Sequence, residues 1–242
     1  MGNVLADSFE TYAGNLKLVL LFSIPFIIAS IIPFFAPLPT YISTGAIFLR
    51  SASIFSNISF TSLAVIIAAF FFSMLFISFA FVAISLIVKS KRTHTKIATS
   101  AIKGIEKYIG KVLAILLAYA IALAVANVIG YYIGMEALVT GAVGFFGFML
   151  IFYAPSAVVI DDKRIGRSVK DSLKLIRREP QYFLLWLLLL VAVVTILDFA
   201  FIEAAGILGS YIMLLVNSLF VLPYFVILMS ESYMKKFPIL KH

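Results

Sequence analysis

Few side chains in this 242-residue chain could do chemistry, and most of those few lie inside apolar runs. Asp198 is the only carboxylate well inside such a run, with Glu203 about a turn and a half further along. Glu136 falls at the same outer boundary, and Arg50 is the only cation on that side. One arginine facing up to three carboxylates makes a salt-bridge cluster that closes the outer side. The sharper reading makes Asp198 a proton or cation site, because an ionisable group in hydrocarbon needs a reason to be there. Asn127 and Asn217 fall near mid-depth of two runs that cross in opposite directions. That setting suits an interhelical hydrogen bond of about 0.6–2 kcal/mol.

Other chemistry is missing. The two histidines are His94, in a basic connector, and His242, at the C-terminal end, and there is no cysteine to complete a metal site with either. HExxH, GxSxG, phosphate-loop and dinucleotide-loop patterns do not occur. Asp161-Asp162 precedes Lys163 and Arg164 and reads as a helix stop rather than a divalent-ion site. The sequence therefore predicts no catalytic, cofactor-binding or metal-binding residue, and no enzyme.

The elements that hold these residues follow from composition. The chain is 63% hydrophobic and 12% charged, against about a quarter charged for a soluble domain, and its mean hydropathy is +1.13. Six apolar runs stand out, roughly 16–35, 61–88, 111–135, 138–160, 181–203 and 206–230. A helix of about 20 residues crosses the ~30 Å hydrocarbon core, and only a helix satisfies its own backbone there. The expected architecture is all-α: one polytopic domain over 1–242, six transmembrane helices as three hairpins. The N-terminal MGNVLADSFETYAGN carries Asp7 and Glu10 but no basic n-region, so it is not read as a cleavable signal and the first span stays.

If the spans alternate, 18 of the 19 cations fall on one side and Arg50 alone on the other. The positive-inside rule then puts both termini in the cytoplasm, in a cell membrane. The +8 balance is thus a membrane signal, not a nucleic-acid one. An amphipathic stretch precedes each pair of spans on the inner side. In the first, Leu5, Phe9 and Tyr12 share a face. In the second it is Ile97, Ala101, Ile105, Tyr108 and Ile109, and in the third Ile165, Val169, Leu173 and Ile176. Such helices lie in the interface, apolar face down. Lys103, Lys107, Arg167, Lys170, Lys174 and Arg177 then meet anionic lipid. Asp7-Ser8-Phe9 against Asp171-Ser172-Leu173 is the short likeness an internal repeat would leave. Residues 36–60, between the first two spans, are expected to lie flat as an interfacial helix or re-entrant cap. Asn57-Ile58-Ser59 within them reads as an unmodified loop.

Ala114, Ala118, Ala122, Ala126, Gly130 and Gly134 recur every fourth residue, and Gly141, Gly144 and Gly147 follow on the next run. The spacing predicts close helix packing along this ridge. Pro25, Pro155 and Pro223 are expected to kink their helices and open a cavity toward the cytoplasm. Tyr131, Tyr132 and Tyr211 outside, with Tyr108, Tyr182, Trp186 and Tyr233 inside, look like interface belts.

Residues 152–186 carry a further pattern. Phe152 and Pro155 near a span end are followed by Asp161, then Gly166, Ser168, Ser172, Leu173, Leu175, Ile176 and Arg177, then an aromatic-led span. This resembles the membrane domain beside some bacterial glycerophosphodiester phosphodiesterases and the related YciC-like small membrane proteins. FETYAGNLKLVLL near the N-terminus resembles the opening of that group. The resemblance implies six spans and brings no catalytic residue. The sequence reading is thus a non-enzymatic membrane scaffold, accessory or lipid-interacting protein. Its partners would be the bilayer, anionic lipid at the inner face and another membrane protein, with no cofactor. The alternative is a small transporter or channel built on the kinked-helix cavity.

Overall fold

The structure is a computed structural model that describes residues 2–37, 40–43, 45–49, 59–93 and 97–236. Helix α1 (Gly2–Gly14) leads into α2 (Leu16–Ile31) and a short 3-10 turn, Ile32–Phe35. A two-stranded antiparallel hairpin follows, β1 (Thr40–Ser43) and β2 (Ala46–Leu49). The remaining described elements are helices: α3 (Phe60–Thr93), α4 (Ile97–Tyr132), α5 (Glu136–Ile151), α6 (Ala154–Asp161), α7 (Ile165–Arg178), α8 (Pro180–Val216) and α9 (Leu222–Lys236). A π-helical turn, Asn217–Val221, joins the last two. Among the described residues five helical segments are long and apolar enough to cross a membrane, the last being Pro180–Lys235.

That last segment is not straight. At about 1.5 Å per residue it would reach about 84 Å, yet Trp186 Nε1 donates to the Phe225 carbonyl at 2.9 Å and their rings lie 5.4 Å apart. The chain doubles back at Gly206, which holds φ +53° and ψ −126°. Glycine takes positive φ without a Cβ clash. Past the turn, Gly209 lies directly against the Phe201 carbonyl.

Side-chain pairs gather the basic segments at one end of the bundle. Lys91 meets Glu10 at 3.4 Å, Lys107 meets Asp162, and Lys235 lies 3.9 Å from Asp7. Helix α1, the end of α3, the start of α4, the α6–α7 link and the end of α9 therefore share this basic end. The hairpin marks the opposite one.

Three expectations change. Of the two forms expected here, an interfacial helix or a re-entrant cap, the helix is replaced by a β-hairpin of residues 40–43 and 46–49: Thr40 pairs with Leu49 and Ser43 with Ala46, beside Gly45 at φ +70°. β-branched and aromatic residues beside a turn glycine favour strand over helix. Residues 97–111 are no separate surface helix but the first turns of α4. The proline kinks also differ. Pro155 starts α6 after a break at Phe152-Tyr153, Pro25 sits inside the continuous α2, and Pro223 follows the π turn.

The ridge on α4 splits. Ala126 and Gly130 are buried, and a Cβ on Gly130 would press on the Glu136 backbone at 2.8 Å. Ala114, Ala118, Ala122 and Gly134 are exposed, so among the described residues no helix of this chain packs against them. The face that meets α5 carries Tyr119 instead: its hydroxyl donates to the Gly144 carbonyl at 2.9 Å and its ring lies over Gly147. Glycines here make room for an aromatic ring.

Gly209→Ala should destabilise the fold by about 1–3 kcal/mol, because its Cβ would overlap backbone that cannot move aside. Gly141→Ala, with nothing within 4 Å of the added methyl, should not lower the thermal unfolding temperature in detergent and should raise it slightly, since a helix-interior alanine is favoured over glycine.

Candidate functional site

The basic end is built around the break at Tyr153. Pro155 lacks an N–H and its ring crowds the carbonyl four residues back, so the helix opens at Phe152-Tyr153 and the Tyr153 N–H loses its place in the helical ladder. The freed Tyr153 N–H is fully buried and donates to Ser172 Oγ on α7 at 3.0 Å. Ser168, Ser172, Leu175 and Ile176 form the buried face of α7. Small hydroxyl side chains let α7 come close enough to supply the missing acceptor. On α1 the buried face is Val4, Ser8 and Thr11, and Thr11 Oγ1 donates to Glu231 on α9 at 3.0 Å. Both amphipathic helices therefore dock by their serine or threonine faces. Of the apolar faces expected to enter the interface, Ile176 is buried in the bundle, whereas Phe9, 64% exposed, and Ile165, 38% exposed, stay on the surface.

Charge pairs lock this dock. Lys163 Nζ lies 2.7 Å from Asp161 and 2.9 Å from Asp171, and donates to Tyr233 at 2.9 Å. Burial works against the charge on Lys163, but its bonds to Asp161, Tyr233 and Asp171 outweigh that and lift its pKa above the ordinary lysine range. Asp162 ends α6 at φ +53° and takes Lys107 and Lys111. The hydrogen bond from Lys107, followed by that from Lys111, holds the Asp162 carboxyl below the usual carboxylate range. Tyr108 is buried under Lys89, Lys107 and Lys111, 5.1–5.7 Å from its ring centre. Tyr108 and Tyr233, expected as interface anchors, are core residues holding lysines.

On the outer face of α7, Arg167, Lys170, Lys174, Arg177 and Arg178 are exposed. At 100° per residue they fall within an arc of about 100°, opposite Ser172 and Ile176. Among the described residues none of the five forms a salt bridge.

Above this dock lies a cavity of about 570 Å³ between α2, α3, α6, α8 and α9. Its closed end is made by Phe81, Phe152, Pro155 and Met229, all buried. Ala69, Phe70, Pro33 and Ala46 line the hairpin end, where Phe70 is exposed. The exposed part of the wall is therefore at the hairpin end, not at the basic end where the sequence reading placed the opening.

The expected polar residues do not come together. Asn127 Nδ2 donates to Glu136 Oε1 at 2.8 Å, while Asn217 Nδ2 reaches the Gly45 carbonyl at 3.3 Å. The proposed Asn127–Asn217 pair is thus replaced by two separate partners, because equal depth does not set which way a helix faces. Asp198 Oδ1 is buried with no hydrogen-bond partner among the described residues, and Glu203 is exposed. Arg50, His94, His242 and Asn57-Ile58 lie outside the described residues, as does the side chain of Lys103. A second, shallower pocket of about 590 Å³ holds Asn127, Glu136 and Thr140, and neither pocket includes Asp198. Among the described residues no cluster of three or more His, Asp or Glu could hold a metal. The cavity wall gave no sequence signal, since its Phe, Ala and Met look like any lipid-facing residue.

No family model, curated protein or solved structure matches this chain.

Ser172→Ala leaves a buried N–H without acceptor and should cost about 1–3 kcal/mol. Ser168→Ala, whose hydroxyl bonds Ile165 within its own helix, should cost less in the same thermal unfolding series. Acid adds a second test. A depressed Asp162 pKa contributes stability that is complete above the ordinary carboxylate value of about 3.9 and lost as pH falls through the folded-state value. Between pH 5 and pH 2, Asp162→Asn should therefore lose less stability than the unaltered protein.

Proposed function

We propose that this chain is a six-span, non-enzymatic protein of the cell membrane with both termini cytoplasmic, acting as a lipid-directed scaffold or accessory factor. The exposed cation face of α7 carries this reading. Its five cations point away from the bundle while the opposite face is fixed by Ser172 and Tyr153. A rigid basic surface at a membrane boundary attracts anionic headgroups, each cation contributing about 1 kcal/mol. Six spans follow if Pro180–Lys235 crosses twice, as the Trp186–Phe225 contact and the reversal at Gly206 support. The gathering of basic segments at one end supports a cytoplasmic location for that end.

The YciC-like resemblance belongs to the same proposal, because Ser168 and Ser172, which carry it, are the residues buried at the α7 dock. The transporter or channel reading finds less support. The large cavity has an apolar wall and contains neither Asn127, Asn217 nor Asp198.

The absence of native cysteine makes the topology directly readable. A membrane-impermeant maleimide should label Ile207→Cys in intact cells and Lys170→Cys only after the membrane is opened. Changing Arg167, Lys170, Lys174 and Arg177 together to glutamine should abolish selective retention of anionic over neutral lipid in native mass spectrometry. Unchanged selectivity would defeat the lipid-directed role.

A further inference from the structure

The apolar cavity has a direction. Helices α3 and α9 run parallel, and Ser85 Oγ lies 3.2 Å from Ser230 Oγ, which fixes their register. Phe81 is then level with Val226, and so with Trp186, whose ring lies on Phe225. Trp186 stands at the closed end, in edge contact with Phe152 at 4.9 Å. From there to Ala69, at the hairpin end of the wall, α3 advances about 18 Å. That is close to the depth of one leaflet, half of the ~30 Å hydrocarbon core.

The wall also has a chemistry. Its hydroxyls and indole are committed within the protein. Ser30 donates to Phe26 at 2.8 Å, Ser73 to Ala29 at 3.1 Å and Trp186 to Phe225 at 2.9 Å. Among the described residues no lysine, arginine, aspartate or glutamate lines the cavity. An ion, a sugar or a carboxylate would have to shed its water with nothing to replace it. A hydrocarbon chain needs no such partner. The volume of 570 Å³ falls in the ordinary range for ligand sites, and Met74 and Met229 give a wall that adapts to a flexible chain.

We infer that this cavity binds one hydrocarbon chain of a bilayer lipid, entering from the leaflet at the hairpin end with its tail against Trp186. The proposal rests on the lipid-directed reading above, but on residues far from α7. The hairpin forms part of the rim: Ala46 and Ile47 line the cavity, and Asn217 holds the adjoining Gly45. The hairpin thus borders the path by which a chain would enter.

Trp186 is the sole tryptophan, so its fluorescence reports on the closed end alone. The protein is reconstituted in phospholipid vesicles containing a small fraction of dibrominated phospholipid. Bromine near the chain terminus should quench Trp186 more strongly than bromine near the headgroup. Ala69→Phe, which fills the hairpin end, should lose most of that quenching, whereas Leu188→Phe, 68% exposed on the same helix as Trp186, should keep it. Ala46→Leu serves if Ala69→Phe does not fold, and the bromine-depth order tests the site without any variant. Equal quenching in the filled and unaltered proteins, or stronger quenching by bromine near the headgroup, would overturn the site. Quenching by a brominated free fatty acid but not by the phospholipid would overturn the bilayer-lipid source. The α7 glutamine variant should retain full quenching, so failure of the cavity and failure of the basic surface are read separately.

Discussion

A backbone N–H in hydrocarbon must find an acceptor, and at Tyr153 the helix itself cannot provide one. Pro155 opens the chain between α5 and α6, and Ser172 closes the account from another helix. One hydrogen bond thereby joins three features. It fixes α7 against the bundle, it turns the basic face of α7 outward, and it steadies Phe152 and Pro155 at the closed end of the cavity. The proline and the serine make sense only as a pair.

The polar interior follows the same rule. Ser85, Ser156 and Ser230 meet at 3.1–3.2 Å where α3, α6 and α9 cross, each hydroxyl both small enough for close approach and able to bond. Toward the basic end the bonds become ionic: Lys163 with Asp161 and Asp171, Lys107 with Asp162. Away from that end, toward the hairpin, the cavity wall is apolar. The bundle therefore grades from a charged, locked base to a hydrocarbon-lined interior, and the two proposed lipid contacts sit in these two environments.

Much of this was legible in the sequence because the bilayer permits few solutions. Run lengths located the apolar helices, and Asp161-Asp162 marked a helix stop, seen as Asp162 in the left-handed conformation. What the sequence could not convey was rotation about each helix axis. When both faces of a span are apolar, periodicity has no contrast, so Asn127 and Asn217 were matched by depth and Ala114 to Ala122 were turned inward. On α7 the contrast was strong, but the bundle took the face with serines because a backbone donor there needed an oxygen. The hairpin was missed for a related reason: Tyr41, Ile42, Ile47 and Phe48 suit an interface helix or a strand equally well, and only Gly45 at positive φ separates the two. The cavity left no mark, since it is made of space between ordinary residues.

The central claim is that α7 belongs to the bundle and does not float on the leaflet. Spin labels at Glu106→Cys on α4 and Lys174→Cys on α7, both exposed positions, measure this by pulsed electron resonance. A docked α7 gives one narrow distance distribution that is the same in neutral and anionic vesicles. A broad distribution, or one that shifts when anionic lipid is added, would show α7 held by the membrane surface and would contradict the account.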